Sequence, residues 1–355
     1  MENYEQRFFS LLESVVKHNA SDLHLSAGRA PTLRLDGELV PLTQEKVLSS
    51  EDTKGMAQVI LAEEQVAILR KNKSVDLSYS YRDTARFRVN VFYQFGTLSV
   101  ALRFVPSRIR TLEELSLPDI LHKFTRYQQG LVLVTGPAGH GKSTTLAALI
   151  DEINKSRAEH IITIEDPIEY VFQQDRAIVD QREVGRDTTS FHDALRESFR
   201  QDPDIIMVGE LRDPETISTA ITAAETGHLV LATLHTNNAA QSIDRVIDSF
   251  APEQQAQVRN QLALTIAGIV SQRLLPRVEG GRVPAVEVLL ANPAVRNLIR
   301  ENKVHEIGLV IDTSVDQGMI SLNRSLAELV KMGTVSADTA MNYSLNAAEL
   351  KALLG

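Results

Sequence analysis

Four short runs constrain the second half of the chain. Residues 131–134, 161–164, 205–208 and 229–232 are apolar without polar alternation, and longer stretches of helical spacing separate them. A strand with one wet face alternates apolar and polar side chains, so a run without alternation belongs to a strand covered on both faces. Strand–helix repetition of this kind predicts an α/β domain around a largely parallel sheet. From about residue 250 the chain reads as mostly helical, ending in a helix over 347–354.

The first of these runs leads into Gly136-Pro137-Ala138-Gly139-His140-Gly141-Lys142-Ser143, with Thr144 opening a helical stretch. This fits G-x-x-x-x-G-K-[ST] at every defined position, in the strand–loop–helix setting the motif requires. Glycines let backbone N–H groups converge on phosphate oxygens, and the helix behind points its positive end at the anion. Lys142 is placed to reach β- and γ-phosphates and Ser143 to ligate Mg²⁺, so the motif predicts a bound nucleotide with Mg²⁺.

Strands of an open parallel sheet deliver their carboxyl ends to one crevice. The run at 205–208 ends in Gly209-Glu210, roughly 70 residues beyond the phosphate loop, which suits a Walker-B acid facing the metal. The run at 161–164 ends in Glu165-Asp166-Pro167. Spacing leaves two readings of Glu165, an acid that activates the attacking water or a loop acid. The run at 229–232 continues through Leu234 to His235, which is placed either to sense the γ-phosphate or to serve structure; His228, before the strand, carries less signal.

Residues 1–105 read differently. Phe8, Leu11, Leu12, Val15 and Val16 mark a helix, and residues 56–70 look helical again. Leu23, Leu25, Leu33, Leu35 and Leu39 alternate, with Asp36-Gly37 as a hairpin turn. Alternation also runs through Val75, Leu77, Tyr79 and Tyr81, through Phe87, Val89 and Val91, and through Leu98, Val100, Leu102 and Phe104. A small α+β domain with an antiparallel sheet is expected, followed by a break near Pro106 and a linker over 106–118 that also contains Pro118. Arg86, Arg88 and Asn90 fall on the face opposite Phe87, and Arg103 joins them by the same count. Such arginines are either a solvated face or an anion site offered to the phosphates of a neighbouring subunit.

Composition narrows the classes. With 37 Lys+Arg against 46 Asp+Glu, the net charge of −9 disfavours a nucleic-acid binder. The absence of cysteine excludes disulfides, thiolate zinc sites and cysteine nucleophiles. No run approaches the ~18 apolar residues of a membrane span. The start, Met1-Glu2-Asn3-Tyr4-Glu5, is polar and acidic rather than leader-like, so a cytoplasmic protein is expected.

Together these segments resemble the secretion ATPase superfamily, and within it the type IV pilus retraction ATPases (the PilT family). Ser21-Asp22-Leu23-His24-Leu25 is similar to the family's early SDLHL segment, and residues 161–170 to its Asp box. Residues 202–213 resemble its Walker-B segment and residues 226–237 its His box. Residues 294–301, Ala-Val-Arg-Asn-Leu-Ile-Arg-Glu, differ by one conservative change from the AIRNLIRE motif that marks retraction ATPases. The resemblance implies a PAS-like N-terminal domain over 1–105 and a RecA-like ATPase domain with a helical C-terminal part over 119–355. It implies a ring of six subunits that docks on the inner-membrane pilus platform protein, peripheral to that membrane, with a sister retraction ATPase as a further partner. It narrows the nucleotide to ATP and makes Glu165 the catalytic acid, Glu210 the Walker-B acid and His235 a γ-phosphate contact, with Arg86, Arg88 and Arg103 as the arginine contacts. The 294–301 helix then serves retraction rather than hydrolysis. Ala138 and His140 stand where the family usually shows Thr and Ser, Asn323 where it usually has Asp, and the 94–97 loop carries less charge than is typical.

Three other readings compete. An extension or export ATPase of the superfamily usually carries a tetracysteine zinc element, which zero cysteines oppose. A non-motor nucleotide-binding ring subunit is opposed by the intact Lys142, Glu165 and Glu210. A nucleic-acid translocase is opposed by the acidic charge and by the lack of aromatic–basic clustering.

Overall fold

The computed structural model describes residues 4–35, 37–82, 85–105 and 108–355. Asp36 of the expected turn, Pro106 of the expected break and the first three residues lie outside the described residues. The chain divides into two compact units, Met1–Arg108 and Ile109–Gly355.

The first unit opens with α1 (Tyr4–Lys17), whose Phe8, Leu11, Leu12 and Val15 are buried at helical spacing. Strands β1 (Asp22–Leu25), β2 (Thr32–Leu35) and β3 (Glu38–Pro41) follow. Next come α2 (Ser50–Ile60) and α3 (Glu63–Asn72), then β4 (Ser74–Tyr81), β5 (Ala85–Gln94) and β6 (Thr97–Val105). A reciprocal capping box between Ser49 and Asp52 starts α2. All six strands pair antiparallel in the order β3-β2-β1-β6-β5-β4. Ala85, Phe87, Val89 and Val91 of β5 are buried, while Arg86, Arg88 and Asn90 are partly exposed on the other face. Arg88 sits directly opposite Arg103 on β6. The helices and the inner sheet face share one core around Phe8, Leu12, Met56 and Phe87. Alternation fails at β3, where Leu39 and Val40 are exposed, because this edge strand lies beyond the covered part of the sheet.

The second unit begins with a short 3₁₀ segment, Asp119–Arg126. Then β7 (Gly130–Thr135), α4 (Lys142–Ser156), β8 (His160–Glu165), β9 (Ile178–Glu183) and α5 (Phe191–Ser198) alternate. They are followed by β10 (Ile205–Val208), α6 (Pro214–Glu225), β11 (Leu229–Leu234), α7 (Ala239–Asp248) and α8 (Pro252–Thr265). Asp213 and Asn238 cap α6 and α7 through first-turn N–H groups, and Pro214 occupies the first position of α6. The sheet order is β13-β12-β7-β11-β10-β8-β9, with β12 (Ile266–Pro276) and β13 (Arg282–Leu290) on one side. Every pairing is parallel except β12–β13. All residues of β7, β10 and β11 are buried, which is why their sequences lack alternation.

Strands β12 and β13 correct the expectation of a mostly helical region after residue 250. Helix α8 passes directly into β12, the last helical residue Thr265 being followed at once by Ile266. Gly268 to Gln272 of β12 are buried in succession, so neither face imposes alternation and its apolar start reads as more helix. The chain then runs through α9 (Pro293–Arg300), α10 (Ile307–Thr313), α11 (Leu322–Lys331), α12 (Ala337–Tyr343) and α13 (Ala347–Leu354). Asn323 is buried and fully used: its amide donates to Asn346 O (3.0 Å) and Glu349 Oε2 (2.8 Å), and its carbonyl accepts from Ser344 (2.7 Å). An aspartate there would face Glu349 with like charge, so this departure from the family pattern ties α11 to α13. In α9, Arg296 donates to the carbonyls of Ala263 (2.7 Å) and Leu264, satisfying the C-terminal end of α8.

Candidate active site

The carboxyl ends of β7, β8, β10 and β11 open on one cleft of about 200 Å³ in the second unit. Ala138, Gly139, Lys142 and Ser143 of the phosphate loop line it, as do Glu165, Glu210 and His235 from the three strand ends. The structure therefore brings together the acids and the histidine that the sequence placed on separate runs.

Lys142 is buried at the start of α4. Its Nζ donates to the carbonyls of Gly136 and Pro137, both at 2.9 Å, and lies 3.3 Å from His235 Nδ1. Burial lowers its pKa, against the pull of Glu210 and Glu169. The lysine has only donors, so His235 Nδ1 accepts and its Nε2–H faces Glu210 Oε1 at 3.4 Å. Arg212 meets the other Glu210 oxygen at 2.9 Å. Burial pushes the Glu210 carboxyl up, but Arg212 and His235 outweigh it and hold the group below the usual carboxylate range. A continuous Lys142–His235–Glu210 line thus crosses the cleft.

Glu165 is 8% exposed. It accepts from Thr163 Oγ1 (2.7 Å) and Gln181 Nε2 (3.1 Å), with the Glu169 N–H at 3.4 Å. Burial raises its pKa despite these bonds, and the Glu169 carboxylate adds to the rise. A carboxylate kept basic in a cleft suits proton abstraction at neutral pH.

Other sequence candidates fall elsewhere. His140 turns to β12, where its Nδ1 accepts from the Leu274 N–H (2.9 Å) and its carbonyl from Gln272 Nε2 (2.8 Å). Burial, with Arg273, Lys142 and Arg282, lowers its pKa, which keeps the accepting nitrogen free of a proton. The Thr144 hydroxyl meets that of Tyr170 at 3.0 Å. His228 bonds to the Ala223 carbonyl (2.9 Å) and packs edge-on against Phe199, a structural role. Arg86, Arg88 and Arg103 belong to the first unit, where Asp22 holds Arg103 Nε at 2.9 Å. Sequence reading missed Gln181, Arg212 and Gln272. Gln272 is nearly buried and takes the Thr145 hydroxyl at 2.7 Å, bracing the phosphate loop from β12. Single glutamines carry no spacing signal; the signal that could have found this one is Gly280-Gly281, a turn dipeptide between the two strands of the hairpin that delivers it.

A phosphate loop with its lysine, and carboxylates at two neighbouring strand ends, define a nucleotide-hydrolysing enzyme of the phosphate-loop class. The comparisons narrow the class. The type II/IV secretion system protein family matches residues 3–336. The type IV pilus retraction ATPase PilT of Pseudomonas aeruginosa is 45% identical over 330 residues, 93% of this chain and 96% of its own. The type IV pilus ATPase PilU of the same organism is 41% identical over 348 residues, 98% of this chain and 91% of its own. A crystal structure of the pilus retraction motor PilT with bound ADP matches with a TM-score of 0.91 at 46% identity, covering 97% of this chain and 98% of that one. The chain belongs to the type II/IV secretion system protein family, and it is a nucleotide-binding ATPase. Among the described residues, no helix is long and apolar enough to cross a membrane.

Proposed function

We propose that this ATPase is the motor that drives retraction of a type IV pilus and so twitching motility. The observation that carries the reading is the extent of the likeness to PilT, which spans 93% of the chain. The substrate is ATP with Mg²⁺. Ser143, second in α4, and Glu210 line the same cleft and would hold Mg²⁺, which prefers hard oxygen donors. Among the described residues no group of three or more His, Cys, Asp or Glu side chains forms a metal cage. When bound, Mg²⁺ neutralises charge on the β- and γ-phosphate oxygens. Lys142 exchanges the Gly136 and Pro137 carbonyls for phosphate oxygens, Glu165 takes the proton of the attacking water, and His235 responds to the γ-phosphate through its link to Glu210.

The chain works as a homo-hexamer, a head-to-tail ring closed by a heterologous interface. The domain over 1–105 offers Arg86, Arg88 and Arg103 to a neighbour's phosphates, the linker over 106–118 joins it to the ATPase domain over 119–355, and the ring docks on the inner-membrane pilus platform protein. An Arg88→Ala protein is expected to keep its ring by light scattering while hydrolysing ATP about 10³-fold more slowly. Loss of the ring would assign Arg88 to structure instead. PilU-like similarity over 98% of the chain supports a second reading, a sister ATPase that shares the work.

The test is a count of surface pili after replacing the native gene with its Lys142→Ala form, scored beside twitching. Excess pili with motility lost is the expected result. Bald cells would make the protein an extension motor, and unchanged pili and motility would favour the sister role.

A further inference from the structure

Glu287 of β13 is a carboxylate that none of the proposed chemistry uses. It sits directly opposite Ser271 of β12. It accepts the N–H of Ala239, the first residue of α7, at 2.7 Å. The Ser271 hydroxyl also bonds to it, and Ser271 in turn accepts from Thr135 at 2.9 Å. Thr135 is the last residue of β7, immediately before the phosphate loop, and Ala239 lies four residues beyond His235. The neighbouring residues of β12 make parallel attachments. Gln272 holds the His140 carbonyl and Thr145, and Arg273 donates to Asn237 Oδ1 at 2.9 Å. One hairpin therefore grips both the loop that carries Lys142 and the segment that carries His235.

We propose that Glu287 is a positioning residue for ATP hydrolysis: by holding the first N–H of α7 beside the Thr135–Ser271 pair, it sets where His235 enters the cleft. The proposal rests on the reading of Lys142 and His235 as nucleotide-site residues. An ionised carboxylate is a stronger acceptor than a neutral one and is favoured at the positive end of a helix. The grip on α7 is thus tightest when Glu287 is charged. Burial pushes its pKa up to about 7, opposed by the Ala239 N–H and the Ser271 hydroxyl, with the Asp312 carboxylate of α10 adding to the rise. On β12, Arg273 lies two residues from Ser271 and is directed to Asn237. Below about pH 7 Glu287 gains a proton, loses an acceptor site and comes to resemble a glutamine.

The experiment compares ATP turnover by the purified full-length wild type, Glu287→Gln and Lys142→Ala proteins between pH 6 and 9. At pH 8 the Gln variant is expected to show kcat lowered about tenfold with KM within about threefold. The gap should narrow as the pH falls below 7, which a merely structural role would not produce. Wild-type kcat at every pH, or a loss that is the same at every pH, would overturn the proposal. Should the Gln variant fail to fold, Ala239→Pro removes the same N–H at a helix position where proline is tolerated, after an extended Asn238. It is expected to reproduce the kcat loss, and wild-type kcat in that protein would again overturn the proposal. Full turnover in Lys142→Ala would instead overturn the site reading beneath it.

Discussion

A Glu165→Gln protein is expected to hydrolyse ATP about 10²- to 10⁴-fold more slowly than the wild type, with nucleotide affinity little changed. The amide keeps the shape and an acceptor for Thr163, whose hydroxyl donates to Glu165 Oε1 at 2.7 Å. What it removes is the capacity to take a proton. Because burial raises the Glu165 pKa, the folded chain binds a proton there at pH values where the unfolded chain has released it. The group's contribution to stability is therefore complete at low pH and is lost as pH rises through the raised value. At pH 8 the Gln variant carries no such penalty, so it should melt above the wild type, with the difference closing as the pH falls. Single-turnover rates, ADP affinity and melting curves check the three parts. A kcat within about threefold of wild type would remove Glu165 from the chemistry, whatever the melting curves show.

The same physics decides what could be read in advance. Strands β7, β10 and β11 were legible because full burial on both faces demands unbroken apolar runs. Strand β5 was legible for the opposite reason, since one face is dry and the other carries Arg86, Arg88 and Asn90. The phosphate loop was legible as a motif, because backbone convergence on an anion restricts residue type at fixed positions. Strand β12 was not, since a buried strand without a stop before it is indistinguishable in periodicity from the end of a buried helix. The loss carried through to the site, because Gln272 acts on the phosphate loop only through the pairing of β12 with β7. Gln181 on β9 was hidden likewise: its bond to Glu165 exists only once β9 pairs with β8. His140 and Asn323 stood out as departures from a family pattern, yet each is a satisfied local solution, the one against Leu274, the other between α11 and α13.

Gly136→Ala is expected to abolish nucleotide binding and to lower stability by about 3 kcal/mol or more. Gly136 has φ +144, a conformation L residues rarely adopt, and an added Cβ would lie 2.3 Å from the Gln272 carbonyl oxygen. That oxygen belongs to the backbone of β12, which is paired on both edges and cannot give way as a side-chain tip would. The loop must shift, and Lys142 shifts with it, because its Nζ is anchored on the Gly136 carbonyl at 2.9 Å. Gly139 is the control. It also has positive φ, +76, but nothing lies within 4 Å of a Cβ there. Gly139→Ala should therefore show only the backbone strain, about 1–2 kcal/mol, and keep measurable ADP binding. Urea unfolding and ADP titration of the two variants separate the close approach from the strain. Equal losses in both would mean that the contact with β12 does not shape the loop, and that the phosphate-binding geometry is set within residues 136–141 alone.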